Sequence, residues 1–320
     1  MNIKHFFLRG LRQIGKRVAG TKSEPNSPID IRYTGQEASD LIYEYMSNDK
    51  PCMIGRLGAC ELQAIVNYIK LAKNFNDYLL YIKGEDIKLE WEKNRREGMR
   101  TFAGFFPSTD ENLEEFSRLM LDECIPNVDI LGSWLLKEIH IKDKLTNAKL
   151  VKHSDIEPYY HDLPWSRILK GKTVLVVHPF VETIKNQYAR RDKIFKNKDI
   201  LPEFKLETIK AVQSIAHNDC GYKSWFDALD AMKHQITQKE YDIALIGCGA
   251  YGFPLASFVK DQGKKAVHTA GATQVLFGIK GGRWDEDEFF SKHLYNEYWV
   301  RPSKEETPQN HKRVEDGAYW

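Results

Sequence analysis

Tyr241-Asp242-Ile243-Ala244-Leu245-Ile246-Gly247-Cys248-Gly249-Ala250-Tyr251-Gly252 runs from a short apolar segment into three glycines, and a second apolar segment follows at residues 253–259. That order predicts a strand, a turn and a helix. Residues 264–268 read as the next strand, so the stretch 241–284 opens on a βαβ unit, which almost always crosses over right-handed. Glycines in such a turn allow positive φ and let a ligand approach the backbone, while the first amides of the helix point at an anion. The spacing Gly247-x-Gly249-x-x-Gly252 has the form of the dinucleotide fingerprint, which also calls for an acidic residue at the end of the second strand. Here that strand ends Ala266-Val267-His268-Thr269, with no Asp or Glu. Three readings stay open: an anion or nucleotide site, an NAD-type site, and a tight turn that packs helix on strand.

Upstream, Thr173-Val174-Leu175-Val176-Val177 is the clearest buried strand, ending at His178-Pro179-Phe180, with a helix expected over residues 181–195. Pro51-Cys52-Met53-Ile54-Gly55 reads as another strand. Its turn carries Arg56, Gly58 and Glu61, and a helix follows over residues 62–71. Residues 128–131 and 149–153 read as further strands, and residues 204–213 are ambiguous but lean to strand. Thr34-Gly35-Gln36-Glu37 has the form of a capping box opening a helix over residues 35–46, residues 112–124 are amphipathic, and residues 225–236 form a helix. Residues 86–96 read as a solvated, charge-rich helix. Strands alternating with helices imply an α/β fold, Rossmann-like, with a mostly parallel sheet covered on both faces. Ligands of such sheets bind at the carboxyl ends of strands. Arg56, Glu61, His178 and residues 247–252 all fall there.

At 320 residues, 42% of them hydrophobic, the chain suits a soluble globular protein. Five scattered cysteines without C-x-x-C spacing argue for a reducing compartment and against a structural zinc site. No run approaches the roughly 20 apolar residues of a membrane span. Residues 1–23 carry six Lys/Arg and no acid, which leaves the remainder with 41 basic against 45 acidic residues. A mildly acidic body does not match a duplex nucleic-acid binder. Ile3, Phe7, Leu11, Ile14 and Val18 make one face of a basic amphipathic helix over residues 1–22, suited to an anionic membrane surface or to docking on its own domain or a partner. Residues 23–30 read as a linker, and residues 31–320 as one catalytic domain with the tail 285–320 packing on it.

Several side chains could carry chemistry. Arg56 could pair with a phosphate, and Glu61 could ligate Mg2+ or Mn2+ or accept from a sugar hydroxyl; the competing reading is a helix-start salt bridge between the two. His178 could act as a general base or be a satisfied core histidine. Residues 268–274, with Thr273 and Gln274, form a second possible backbone cradle. Residues 280–284, with Arg283 and Trp284, offer a cation and an aromatic ring.

Ile54-Gly55-Arg56-Leu57-Gly58-Ala59-Cys60-Glu61-Leu62 resembles the Arg-x-Gly-Asp-x-Glu segment of the bacterial GT-D-type glycosyltransferases. The His178-Pro179-Phe180 turn, residues 247–252, 271–274, 277–281, 283–284, 296–302 and 317–320 look like the branch of that family associated with capsule and O-antigen assembly. The resemblance implies a Rossmann-like enzyme that transfers a sugar from a nucleotide-sugar donor to a glycan or lipid-linked acceptor, cytoplasmic and peripheral at the inner membrane face. It implies Glu61 and His178 as catalytic residues. The donor would lie on Arg56, Gly58, Gly247, Gly249, Tyr251, Gly252, Thr273, Gln274 and Arg283. Where the family has the first carboxylate of its metal motif, this chain has Ala59, so dependence on Mg2+ or Mn2+ through Glu61 is in doubt. An NAD(P)-dependent oxidoreductase and a non-catalytic nucleotide-binding scaffold are the alternatives.

Overall fold

Seven short strands build one sheet in the computed structural model, which describes residues 3–19 and 29–320. They are β1 (Cys52–Gly55), β2 (Ile130–Ser133), β3 (Lys149–Lys152), β4 (Thr173–His178), β5 (Lys205–Lys210), β6 (Ile243–Ile246) and β7 (Lys265–His268). Every pairing is parallel, in the order β3-β2-β1-β7-β6-β4-β5. Because side chains alternate along a strand, successive residues enter two different cores. Met53, Leu175, Val177, Ala244, Ile246 and Ala266 belong to one. Cys52, Ile54, Val174, Val176, Ile243, Leu245 and Val267 belong to the other. A strand covered on both faces needs apolar residues at every position, which is why β1, β4 and β6 are unbroken apolar runs.

The α-helices of eight or more residues are α1 (Ile3–Ala19), α2 (Gln36–Ser47), α3 (Ala59–Ile69), α4 (Phe75–Ile82), α5 (Lys93–Thr101), α6 (Asp110–Arg118), α7 (Val181–Tyr188), α8 (Trp225–Thr237) and α9 (Gly252–Asp261). Connections that step toward the β3 edge carry Leu62, Leu113, Ile141, Leu229 and Leu255, all in the first core. Connections that step toward the β5 edge carry Trp165, Leu169, Phe180 and Ile184, all in the second. One direction per face is what a uniform crossover hand requires. The expected βαβ unit is present as β6-α9-β7.

Local expectations needed correction where tertiary partners intervene. Thr34 caps nothing: α2 starts at Gln36 after Gly35 at φ 58°, and the Gly35 amide donates to Asp155 Oδ2 at 2.6 Å. The helix expected over residues 181–195 stops at Tyr188: Arg190 leaves helical geometry at φ −124°, a short 3-10 turn follows at Arg191–Lys193, and Asn296 and Trp299 hold the carbonyls of Lys193 and Ile194. In the charged segment 86–96 the helix begins only at Lys93, since Lys88 instead exchanges backbone hydrogen bonds with Lys70 and Ala72.

The N-terminal helix α1 packs on α4 and attaches by its basic edge. Arg9 pairs with Glu90, and Arg12 lies 4.2 Å over the Tyr81 ring and donates to the carbonyls of Gly84 and Ile87. Leu8 is buried while Phe6, Phe7, Leu11 and Ile14 remain exposed. The side chains of Ile3 and Val18, and all but the last two residues of the expected linker 23–30, lie outside the described residues. Among the described residues no helix is long and apolar enough to cross a membrane.

Candidate functional site

The chain leaves β1 and β6 for helices on one face, and leaves β7 and β4 for segments on the other. In the order β1-β7-β6-β4 these departures alternate, so the loops part above the strand ends. There they enclose a cavity of about 450 Å3, the size of a site for a small organic ligand. The end of each strand contributes: Arg56 after β1, Trp134 after β2, Glu157 after β3, His178 on β4, Gln213 after β5, Cys248 after β6 and Gln274 after β7.

Glu61 sits in the first turn of α3, as expected, and its carboxylate folds back over Gly58. A Cβ at position 58 would lie 2.0 Å from Glu61 Oε2, so only glycine admits that rotamer. The carboxylate accepts a hydrogen bond from its own amide. Its accessible surface opens on the cavity, but protein otherwise surrounds it, and burial pushes its pKa up. Among the described residues no ion pair reaches it. Arg56 does not bridge to Glu61; it turns to Glu157 at 2.7 Å, with 13% and 8% of the two side chains exposed. Tyr159 donates to the second oxygen of Glu157. Burial raises the Glu157 pKa, and the Arg56 guanidinium opposes that rise.

Two buried histidines carry opposite hydrogen-bond patterns. The Phe180 amide donates to His178 Nδ1 at 3.0 Å, so the neutral ring carries its proton on Nε2. Burial holds the His178 pKa down at about 3. His268 Nδ1 lies 3.0 Å from the carbonyl of Ile246, an acceptor only, so Nδ1 donates and Nε2 is left with the lone pair. Burial, against a smaller upward pull from that hydrogen bond, holds its pKa at about 4. At neutral pH His178 is therefore a donor and His268 an acceptor. The base role expected of His178 meets an occupied Nδ1 and a protonated Nε2, which leaves Glu61 the better placed base.

Three amides of the glycine turn are already taken by protein. The Gly247 amide bonds Val177 O, the Ala250 amide bonds Ala103 O, the Gly252 amide bonds Gly249 O, and Pro254 has no amide hydrogen. The space their missing side chains leave is filled by protein. A Cβ at Gly247 would meet Thr273 Cβ at 2.6 Å, and one at Gly252 would meet His268 Cε1 at 2.1 Å. Gly249 uses its φ of 57° to turn the chain beside Ala103. Gly247 and Gly249 still line the cavity; Gly252 does not.

The remaining expected residues divide. Tyr251 lines the cavity, stacks on Trp225 with 5.1 Å between centroids and hydrogen-bonds Ser214 Oγ at 2.9 Å. Thr273 lies off the cavity wall, its hydroxyl bonded to Thr269 and to the carbonyl of Ile246. Gln274 borders the cavity, but its amide nitrogen donates to the carbonyls of Ile279, Lys280 and Tyr319, tying the C-terminal tail down. Arg283 reaches the cavity, lies 4.8 Å over the Tyr319 ring and pairs with Glu315 at 2.5 Å. Trp284 is buried.

Sequence reading passed over Glu157, Trp134, the His268 ring and Tyr319. Glu157 was within reach of the strand-end rule, four residues beyond the expected strand 149–153. Trp134 is 46% exposed at the cavity rim, its indole fixed by a 3.0 Å hydrogen bond to Leu57 O. Tyr319, which covers Gly271, comes from far along the chain; its segment 317–320 entered only through the resemblance, with no role given to the ring.

The donor set does not fit the divalent ion the resemblance implies. Among the described residues no three His, Cys, Asp or Glu side chains converge. Beside Glu61 stand Ala59 and the Cys60 thiol, pushed up by burial to about 12 and so protonated, a poor ligand for a hard cation. Compared with known proteins, the chain matches no family model, no curated protein and no solved structure.

Proposed function

We propose that this protein is a glycosyltransferase that takes a nucleotide-sugar donor into the cavity at the strand ends and transfers its sugar to a glycan or lipid-linked hydroxyl. The observation that carries the reading is Glu61: a carboxylate of raised pKa at a helix start, facing a ligand-sized cavity. On the same cavity wall stand two guanidinium groups, Arg56 held by Glu157 and Arg283 held by Glu315, which can turn N–H donors to a phosphate. The acceptor oxygen attacks the anomeric carbon as Glu61 takes its proton. The bond from that carbon to the diphosphate breaks, and the nucleoside diphosphate leaves with both electrons. A raised pKa brings a carboxylate nearer the operating range of a general base. Developing charge on the leaving diphosphate is met by Arg56, Arg283 and the amides opening α3. His178 contributes a fixed neutral donor from Nε2, and no step runs through a metal ion.

A thermal-shift panel of UDP, GDP, CMP and NAD tests this reading, because a ligand specific to the native state raises the melting temperature. A uridine or guanosine diphosphate is expected to stabilise most. Stronger stabilisation by NAD than by every nucleoside diphosphate overturns it. A nucleotide shift without any transfer or donor hydrolysis supports a non-catalytic binding protein instead.

A further inference from the structure

A second hollow, of about 520 Å3, lies away from the strand ends, between α1 and residues 81–96. Arg9, Arg12, Lys88, Lys93 and Arg96 line it, against Glu90 and Glu92. Because α1 is anchored by Arg9, Arg12 and the buried Leu8, its other large apolar side chains point away from the body: Phe6 is 62% exposed, Phe7 66% and Ile14 65%. The helix it packs on, α4, also shows Phe75 at 73%, with Leu79 and Leu80 exposed. Scattered exposed apolar residues are ordinary, but large ones gathered on two packed helices mark a contact surface.

We infer that this face seats the protein on an anionic lipid bilayer, the α1 and α4 side chains entering the headgroup boundary and the cationic hollow receiving a lipid phosphate. Charge selects this occupant. Residues 1–23 carry six Lys/Arg and no acid, and five cations line the hollow against two acids, with Arg9, Lys88 and Arg96 sharing their charge with Glu90, Asp86, Glu92 and Asp110. An apolar row flanked by such charge is the pattern of an interfacial helix. The hollow and the strand-end cavity are joined by α5. Lys93 and Arg96 near its start line the hollow, and Phe102 and Ala103 just past its end line the cavity. Nine residues at about 1.5 Å each separate the two by roughly 14 Å, so the seated protein holds its cavity close to the membrane surface.

Co-sedimentation of the full chain with phosphatidylcholine vesicles, with and without phosphatidylglycerol, tests this. Wild type is expected to bind the anionic vesicles at least tenfold more tightly, with binding weakened by salt. The double variant Phe6→Ser/Phe7→Ser, at exposed positions and therefore folded, is expected to lose about tenfold or more. Arg12→Glu is expected to weaken binding further at low salt. Equal binding to both vesicle types, or unchanged binding by the Phe variant, overturns the inference. So does a wild-type oligomer that the Phe variant dissociates, which assigns the face to a second copy. Inorganic phosphate raising the melting temperature through Arg12, with vesicle binding absent, assigns the hollow to a free phosphate. Nucleotide-induced thermal shifts of the same variants are read separately, so failure here leaves the strand-end cavity's reading untouched.

Discussion

Arg56 Nη1 stands 2.7 Å from Glu157 Oε1, and the pair ties the end of β1 to the loop after β3 across the intervening β2. Tyr159 completes the arrangement on the other carboxylate oxygen. Removing one partner of a buried pair strands the other charge in a poorly solvated place. Glu157→Gln is therefore expected to lower stability by about 3 kcal/mol in denaturant unfolding. A loss below about 1 kcal/mol, the range of exposed pairs, would show that water from the cavity screens the contact.

Glu61→Gln is expected to cut turnover about 100-fold or more, the scale of a lost general base. Stability should move the other way. Burial raises the folded-state pKa above the ordinary 4.5, so the folded protein keeps a proton that the unfolded chain has lost. Wild-type stability thus falls as pH rises from 4.5 through the folded value, and Gln removes that fall. Denaturant melts at neutral pH should place the variant level with wild type or above it. A clear destabilisation assigns Glu61 to holding the start of α3, and full turnover places the chemistry elsewhere.

His178 and His268 make the protein acid-sensitive. Both are held neutral, at about 3 and about 4, against 6.5 in the unfolded chain. Above 6.5 neither state binds the proton; below it the unfolded chain gains protons that the folded protein refuses, so stability falls toward the folded values. At about pH 5 each histidine should remove about 2 kcal/mol. His268→Gln should flatten the slope of stability against pH between about 6.5 and 5, whatever its effect at neutral pH. An unchanged slope means that water reaches the ring.

Gly252→Ala isolates the packing role of the glycine turn. Position 252 opens α9 with φ −64°, where alanine is the better helix former by about 1 kcal/mol. The added methyl, however, lands on the His268 ring, itself held by Ile246 O. The collision should dominate, with a net loss of about 1–3 kcal/mol typical of overpacking. Stabilisation by alanine would mean that the ring has room to move.

Transfer activity is expected to persist in a chelator, since Ala59 and a protonated Cys60 stand where further ligands for a hard cation would be needed. Loss of activity in chelator, restored by Mn2+, would show that the donor's own phosphates complete a coordination sphere around Glu61.

The architecture was legible because burial on both faces leaves a local mark. The apolar runs at 52–55, 173–177 and 243–246, each followed by a helical segment, read as strands of a covered parallel sheet. The same rule placed Arg56, Glu61 and His178 at one end of that sheet, where they line one cavity. Which of those side chains face each other was not local. Arg56 and Glu157 are 101 residues apart, and Tyr319 reaches Gly271 from the far end of the chain. The glycine spacing was ambiguous for a related reason: a turn that admits a phosphate and one that admits His268 or Thr273 ask the same freedom of the backbone. Only the packed neighbours decide between them. Periodicity likewise determined that α1 has an apolar and a basic side; which side met the body depended on Glu90, Tyr81 and two carbonyls on a surface that no window of sequence contains.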